Sequence, residues 1–294
     1  MKIYLASIEN QCIEPTRHLI DNAFYSYYYM RKKKSPPIVQ AKSKHQFVFV
    51  DSGAHTFFSE LAGKGQESAS VHKKKTKTKE TPDEYFENYL IWLKKYYDCL
   101  DYYAELDIGE IVGQEKVRQW RERLKKNNLY DKCVTVYHPD VMSWEDYIAM
   151  LEDSESKYIA LEGDRSNRPR LPYNKLIKVA YEKGIKVHGF AMTKKSVMEG
   201  YPFYSVDSTS WNSASMYGCF PAFINGAITN IPFGKHLNKE KILKQIKDID
   251  LDKLYSKDKK ELREYQQQLG IFAYQKASKH YTKLWERRNI KWGS

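Results

Sequence analysis

At 294 residues, 41% hydrophobic and 14% aromatic, the chain can fill the core of one large domain, or of a barrel with a modest appendage. Its apolar stretches fall short of a membrane span, and Met1-Lys2-Ile3-Tyr4-Leu5 opens a strand rather than a signal peptide, so a soluble, cytoplasmic protein with no membrane partner is expected. Forty-nine Lys and Arg against 37 Asp and Glu leave +12, an excess that favours a polyanionic partner.

Short apolar runs alternate with amphipathic stretches along the chain. A first strand is expected at residues 3–7. Tyr25, Tyr27, Tyr28 and Tyr29 then precede Arg31-Lys32-Lys33-Lys34, a mixture that could stack bases and neutralise phosphates. A solvated, solubilising face would explain that charge run equally well. The second strand, 47–51, is the β-branched and aromatic run Phe47-Val48-Phe49-Val50, and it ends on Asp51-Ser52-Gly53-Ala54-His55.

Residues 59–81 lose all apolar period and are rich in Gly, Ser, Lys and Thr, so they are expected to form a mobile basic insertion. Its Lys73, Lys74, Lys75, Lys77 and Lys79 are the candidate nucleic-acid contacts, with an inert insertion as the alternative. Thr81-Pro82-Asp83-Glu84 then starts a helix over 82–97.

Further strands are expected at 103–108, 134–138, 158–162, 186–190 and 203–207, with helices at 110–127, 143–152 and 172–183 between them. Strand, helix, strand at this spacing means parallel βα units. The fold class expected is therefore α/β, a (β/α)8 TIM-type barrel with the basic insertion after strand 2. Seven strands are placed. Residues 222–229 could supply the eighth, although Asn225-Gly226 reads equally well as a tight hairpin turn. The barrel would span 1–250. A basic helical tail over 251–294, with pieces at 257–268 and 272–288, would pack on it.

Chemistry in such a barrel gathers at the carboxyl ends of the strands. Those ends carry Asp51, Asp107, His138, Glu162-Gly163, His188 and Asp207. A carboxylate pair can divide labour at an acetal-like carbon, one acid attacking and the other handling protons. His138 could instead make a structural hydrogen bond, and His188 is expected to be packed. Cys12, Cys99, Cys133 and Cys219 are scattered, with no spacing suited to a metal or a disulfide framework. No metal is expected.

Val50-Asp51-Ser52-Gly53-Ala54 resembles the Asp-Ser-Gly-Gly-Phe motif of the tRNA-guanine transglycosylases. Gly189-Phe190-Ala191-Met192-Thr193, followed by Phe203-Tyr204-Ser205-Val206-Asp207, resembles the second motif of that family. Leu106-Asp107 and Leu161-Glu162-Gly163 fall where the family keeps a base-recognising aspartate and a Gly-rich loop. The forms Asp-Ser-Gly-Ala and Val-Asp-Ser-Thr-Ser-Trp are more similar to a compact branch associated with bacteriophage and deazaguanine DNA modification. The likeness spans roughly residues 3 to 229.

The resemblance implies Asp207 as nucleophile at C1′ of a guanine nucleotide, and Asp51 as general acid/base. It implies Asp107 on the purine edge, Ser52, Gly53 and Gly163 lining the base pocket, His138 at the base, and Phe190 (or Phe57) stacked on it. Partners would be DNA, or tRNA, and a free 7-deazaguanine such as preQ0 or preQ1. No cofactor is implied, since one base replaces another, and no Walker-type loop is present. The chain departs from the pattern at Ala54, in the Ser-Thr-Ser-Trp after Asp207, and in lacking the Cys/His zinc subdomain of tRNA-acting members. That absence favours DNA. The alternatives are a tRNA-guanine transglycosylase, an N-glycoside hydrolase and a non-catalytic barrel that only binds nucleic acid.

Overall fold

The computed structural model describes residues 1–61, 80–163, 172–213, 219–232, 249–254 and 256–293. Eight parallel strands close into a barrel in simple chain order: β1 (Lys2–Ala6), β2 (Asn22–Ser26), β3 (Phe47–Asp51), β4 (Tyr102–Ala104), β5 (Cys133–Tyr137), β6 (Tyr158–Leu161), β7 (Lys186–Gly189) and β8 (Ser205–Ser208). Tyr4 pairs with Asp207 where β1 meets β8 and closes the ring. Helices separate most of the strands, so the fold is the (β/α)8 type that the alternation predicts.

One strand is new. Asn22–Ser26 pairs with β1 on one side and β3 on the other. Its Ala-Phe-Tyr centre is flanked by Asn and Ser and is too short to make an apolar run. Asp51 therefore ends the third strand rather than the second, and the basic insertion follows strand 3. Most of residues 59–81, including Lys73, Lys74, Lys75, Lys77 and Lys79, lies outside the described residues; the Ala54–Leu61 helix runs into its beginning.

Residues 222–229 do not close the barrel. They belong to an antiparallel hairpin, β9 (Cys219–Ile224) with β10 (Ala227–Pro232), in a separate two-stranded sheet. Asn225 and Gly226 both have positive φ, 49° and 76°, the backbone of a type I′ turn. After a single helical turn at Leu251–Leu254, the tail forms one long helix, Lys259–Arg287, in place of the two expected pieces. Gly270 interrupts the sequence pattern at its middle, but a Cβ there would collide with the Trp211 carbonyl. Close approach explains that glycine, not a break.

The long helix packs along β1 and β9. The Met1 amine donates to Thr282 Oγ1 at 2.7 Å, Ser278 donates to the Met1 carbonyl at 3.0 Å, and Trp285 Nε1 donates to the Met198 carbonyl at 2.9 Å. Tyr274, Ala277, Tyr281 and Trp285 are buried against the barrel.

Other helices start and stop for local reasons. Thr81 and Glu84 form a capping box on Pro82–Tyr96, as the sequence predicts. Ser143 and Asp146 do the same for Trp144–Asp153. The helix expected over 110–127 is split by Gly113, at φ 83°, into Gly109–Val112 and Gln114–Lys126.

Tyr4, Phe24, Phe49, Val134, Val136, Tyr158 and Tyr204 fill the barrel interior. A larger apolar layer lies between strands and helices. Many tyrosines there bond backbone carbonyls of neighbouring elements: Tyr85 donates to the Ser52 carbonyl at 2.7 Å, Tyr89 to Ala104 at 2.9 Å and Tyr147 to Leu176 at 2.7 Å. A buried tyrosine adds apolar area and also satisfies a carbonyl, so packing absorbs much of the tyrosine excess. Tyr25 and Tyr27 belong to this layer and not to a surface patch, whereas Tyr29 is exposed. All four cysteines are free, and among the described residues no helix is long and apolar enough to cross a membrane.

Candidate active site

Because every barrel strand runs the same way, the residues ending β3 to β8 share one mouth. Asp207, on the last strand, is nearly buried. Its Oδ1 accepts the Ala191 N–H at 2.7 Å and faces His188 Nε2 at 3.3 Å. Ala191 reaches it from a left-handed backbone, φ 56°. His188 is fully buried and stacks on Phe24, and its Nδ1 lies 2.6 Å from Ser205 Oγ. Since the carboxylate must accept, Nε2 carries the proton, Ser205 donates to Nδ1 and Tyr158 donates to Ser205. This chain of donors fixes the orientation of Asp207.

Asp51 is held differently. Its Oδ2 accepts the Gly53 N–H at 3.0 Å across a tight turn. Burial first, then the charge of Asp107, raise its proton affinity; Asp207 and Glu9 push the same way against the Gly53 bond, and its pKa stands at about 7. The charges of Asp51, Asp107 and Asp207 thus act on one space. A carboxyl near neutrality beside a hydrogen-bonded carboxylate is the division of labour that acid/base chemistry requires.

Ser52 and Gly53 sit beneath this turn rather than in an open pocket. Ser52 is fully buried, and its Oγ accepts the Ala54 N–H at 3.4 Å. Gly53 has φ 76°, and a Cβ there would run into Tyr28 Cβ and come within 3.0 Å of the Tyr85 hydroxyl. Gly53→Ala is therefore expected to cost about 1–3 kcal/mol of stability, read by chemical unfolding, and to displace Asp51. An unchanged midpoint would show that the turn tolerates a side chain.

His138 follows β5 with both ring nitrogens engaged: Nε2 with Asp107 Oδ2 at 3.1 Å and Nδ1 with Glu162 Oε2 at 3.2 Å. Burial alone would lower its proton affinity, but the hydrogen bonds and charges of Asp107 and Glu162 outweigh that and hold its pKa up at about 10. His138 is an imidazolium that positions Asp107, and its nitrogens are spent before any base arrives. Glu110, His138 and Glu162 each bring one ligand-type atom within 4.8 Å of the others. A cation bound there would have to displace the proton that His138 holds between the two acids.

Phe190 follows β7, half-buried and edge-on to His188 with centroids 4.8 Å apart, and it borders the mouth. Gly163 lies where a Cβ would come 2.6 Å from the Phe190 carbonyl, so close packing of the chain itself requires a glycine there. Phe57 is buried and stacked on Tyr85 with centroids 4.1 Å apart, so of the two candidate aromatics Phe190 is the one at the rim.

Sequence reasoning missed Glu9. It follows β1 through Ser7, whose φ of 61° bends the chain inward. Glu9 is 3% exposed, and its Oε2 has no hydrogen-bond partner among the described residues. Burial raises its pKa to about 7, against bonds from its own amide and that of Ser26 and the charges of Lys33 and Arg17. Ser26 is the register partner of Asp51, which places Glu9 beside that acid. Its only sequence signal is being the first acid after the first strand.

Set beside known proteins, the chain matches no family model, no curated protein and no solved structure. The functional reading rests on the barrel mouth and on the motifs that build it.

Proposed function

We propose that this chain is a guanine transglycosylase that exchanges guanine in nucleic acid, DNA in the first place, for a 7-deazaguanine base. The observation that carries the reading is the pairing of Asp207, whose Oδ1 is claimed by two donors, with Asp51, a carboxyl poised near pH 7 within reach of its charge. In this reading Asp207 Oδ2 attacks C1′ and the C1′–N bond breaks. The departing purine takes the bonding pair and receives the proton held on Asp51. Asp51 then removes a proton from the incoming base, whose nitrogen attacks C1′ and releases Asp207. Atoms and protons balance over the cycle, and Asp51 ends as it began.

Asp107, steadied by His138, offers carboxylate oxygens to the two donors on a guanine edge. A target base in a duplex must leave the stack to reach this mouth, at a cost of a few kcal/mol. The net charge of +12 supports a polyanionic substrate.

The test is incubation with radiolabelled guanine and either DNA or tRNA, with counting of label in each polymer. Label is expected in DNA. Label entering only tRNA would overturn the DNA assignment, and release of free guanine without incorporation would identify a hydrolase.

A further inference from the structure

Beside the mouth, a cleft of about 490 Å³ runs between the residues after β2 and the Pro82–Tyr96 helix, lined by Arg31, Lys32, Lys33, Lys34 and Lys95 over a floor that includes Trp92 and Ile91. We propose that this cleft is the track along which a single polynucleotide strand leaves the active site, its phosphates held by Lys32, Lys34 and Lys95. The inference rests on the nucleic-acid reading above and adds where the polymer runs.

The charge balance of the cleft is one-sided. Its one acid among the described residues, Glu80, is paired with Arg31. Lys32, Lys34 and Lys95 are exposed and make no ion pair among the described residues. Arg31 is pinned in the wall, its guanidinium 4.7 Å from the ring centres of both Tyr28 and Tyr85, and its Nε–H has no acceptor among the described residues. Ile91 is 63% exposed, an unusual position for an isoleucine beside lysines, and it offers an apolar contact for a sugar or base.

The cleft is also joined to the site. Tyr85, on which Arg31 stacks, donates to the carbonyl of Ser52, the residue after Asp51. Lys33 Nζ donates to the carbonyl of Glu9 at 2.5 Å. A strand with one nucleotide in the mouth would pass from these rim residues into the cleft. From Asn88 to Lys95 the helix wall rises roughly 10 Å, about three nucleotides of a stacked strand. A single phosphate would need far less length than that.

The experiment compares the full chain with the triple variant Lys32→Gln, Lys34→Gln, Lys95→Gln, binding a fluorescent 20-nucleotide single-stranded DNA across a salt series. Loss of three phosphate contacts is expected to flatten the log K against log salt slope by about 2 and to weaken binding about tenfold or more at 0.1 M salt. A control triple variant on other faces, Lys126→Gln, Lys178→Gln, Lys259→Gln, carries the same change in net charge and is expected to keep most of the slope. Equal slopes for the two triple variants would overturn the cleft assignment, whatever the enzyme does. A flattened slope in a protein that exchanges no base would retain the cleft and sink the transglycosylase reading instead. Thermal melting of each variant checks that the fold is intact.

Discussion

Asp207→Asn is expected to lower base exchange by about 10³-fold or more and to abolish any covalent sugar–protein adduct seen on a denaturing gel. The substitution is close to isosteric. An amide oxygen can still accept from Ala191 N–H and His188 at the Oδ1 position, so the turn at Ala191 and the Tyr158–Ser205–His188 chain stay in place. What changes is the other atom: an NH2 group replaces the oxygen that would attack C1′, and a neutral amide nitrogen is a poor nucleophile. Loss of activity with an unchanged melting temperature therefore isolates chemistry from folding. Asp51→Asn should behave in the opposite way at the gel stage, because the attacking oxygen survives and an adduct can still form, though slowly. An Asp207→Asn variant that exchanges base at the parent rate would remove the nucleophile from the proposal.

The same pair explains what was legible in the sequence. Asp51 and Asp207 each close a buried apolar run, and such a run has a strong signature because both faces of a barrel strand are covered. The strand ends then follow almost mechanically, and with them His138 and Glu162; Asp107 instead lies in the segment after β4, which stops at Ala104, short of the expected 103–108. β2 was not legible, because Asn22 and Ser26 interrupt its pattern and its tyrosine resembles those of a surface cluster. The role of His188 needed register: His188 pairs with Ser205 across β7 and β8, and only that pairing aims its other nitrogen at Asp207. His138 was readable as a polar strand end, but not as an imidazolium between two acids, since Asp107 and Glu162 arrive from the strands on either side. Glu9 depends on the positive φ at Ser7, for which serine gives no warning. Periodicity reports burial, whereas contacts across strands are set by the closed ring.

Asp51→Asn is expected to stabilise the protein at pH 8 while impairing exchange, and the stabilisation should vanish near pH 4. In the folded chain Asp51 titrates at about 7, against 3.8 for an ordinary aspartate, because of burial and then the charge of Asp107. Between those values the folded state holds a proton that the unfolded state releases. Stability is therefore present at low pH and is lost as pH rises toward 7. Asn carries no charge at any pH and escapes the loss. Solvent reaches part of the side chain, which trims the full linkage value, so a gain of roughly 1–3 kcal/mol above pH 7 is expected. Glu9 titrates in the same range and remains in both proteins, so it largely cancels from the difference. Activity runs on the same group: the acid form helps guanine leave below pH 7 and the base form accepts the incoming proton above it. A maximum near pH 7 in the parent, lost in the variant, would tie both effects to one carboxyl. A melting-temperature difference that stays flat from pH 4 to pH 8, or Asp51→Asn destabilising at pH 8, would mean that Asp51 is an ordinary solvated acid. The proton shuttle would then have to be found elsewhere in the mouth.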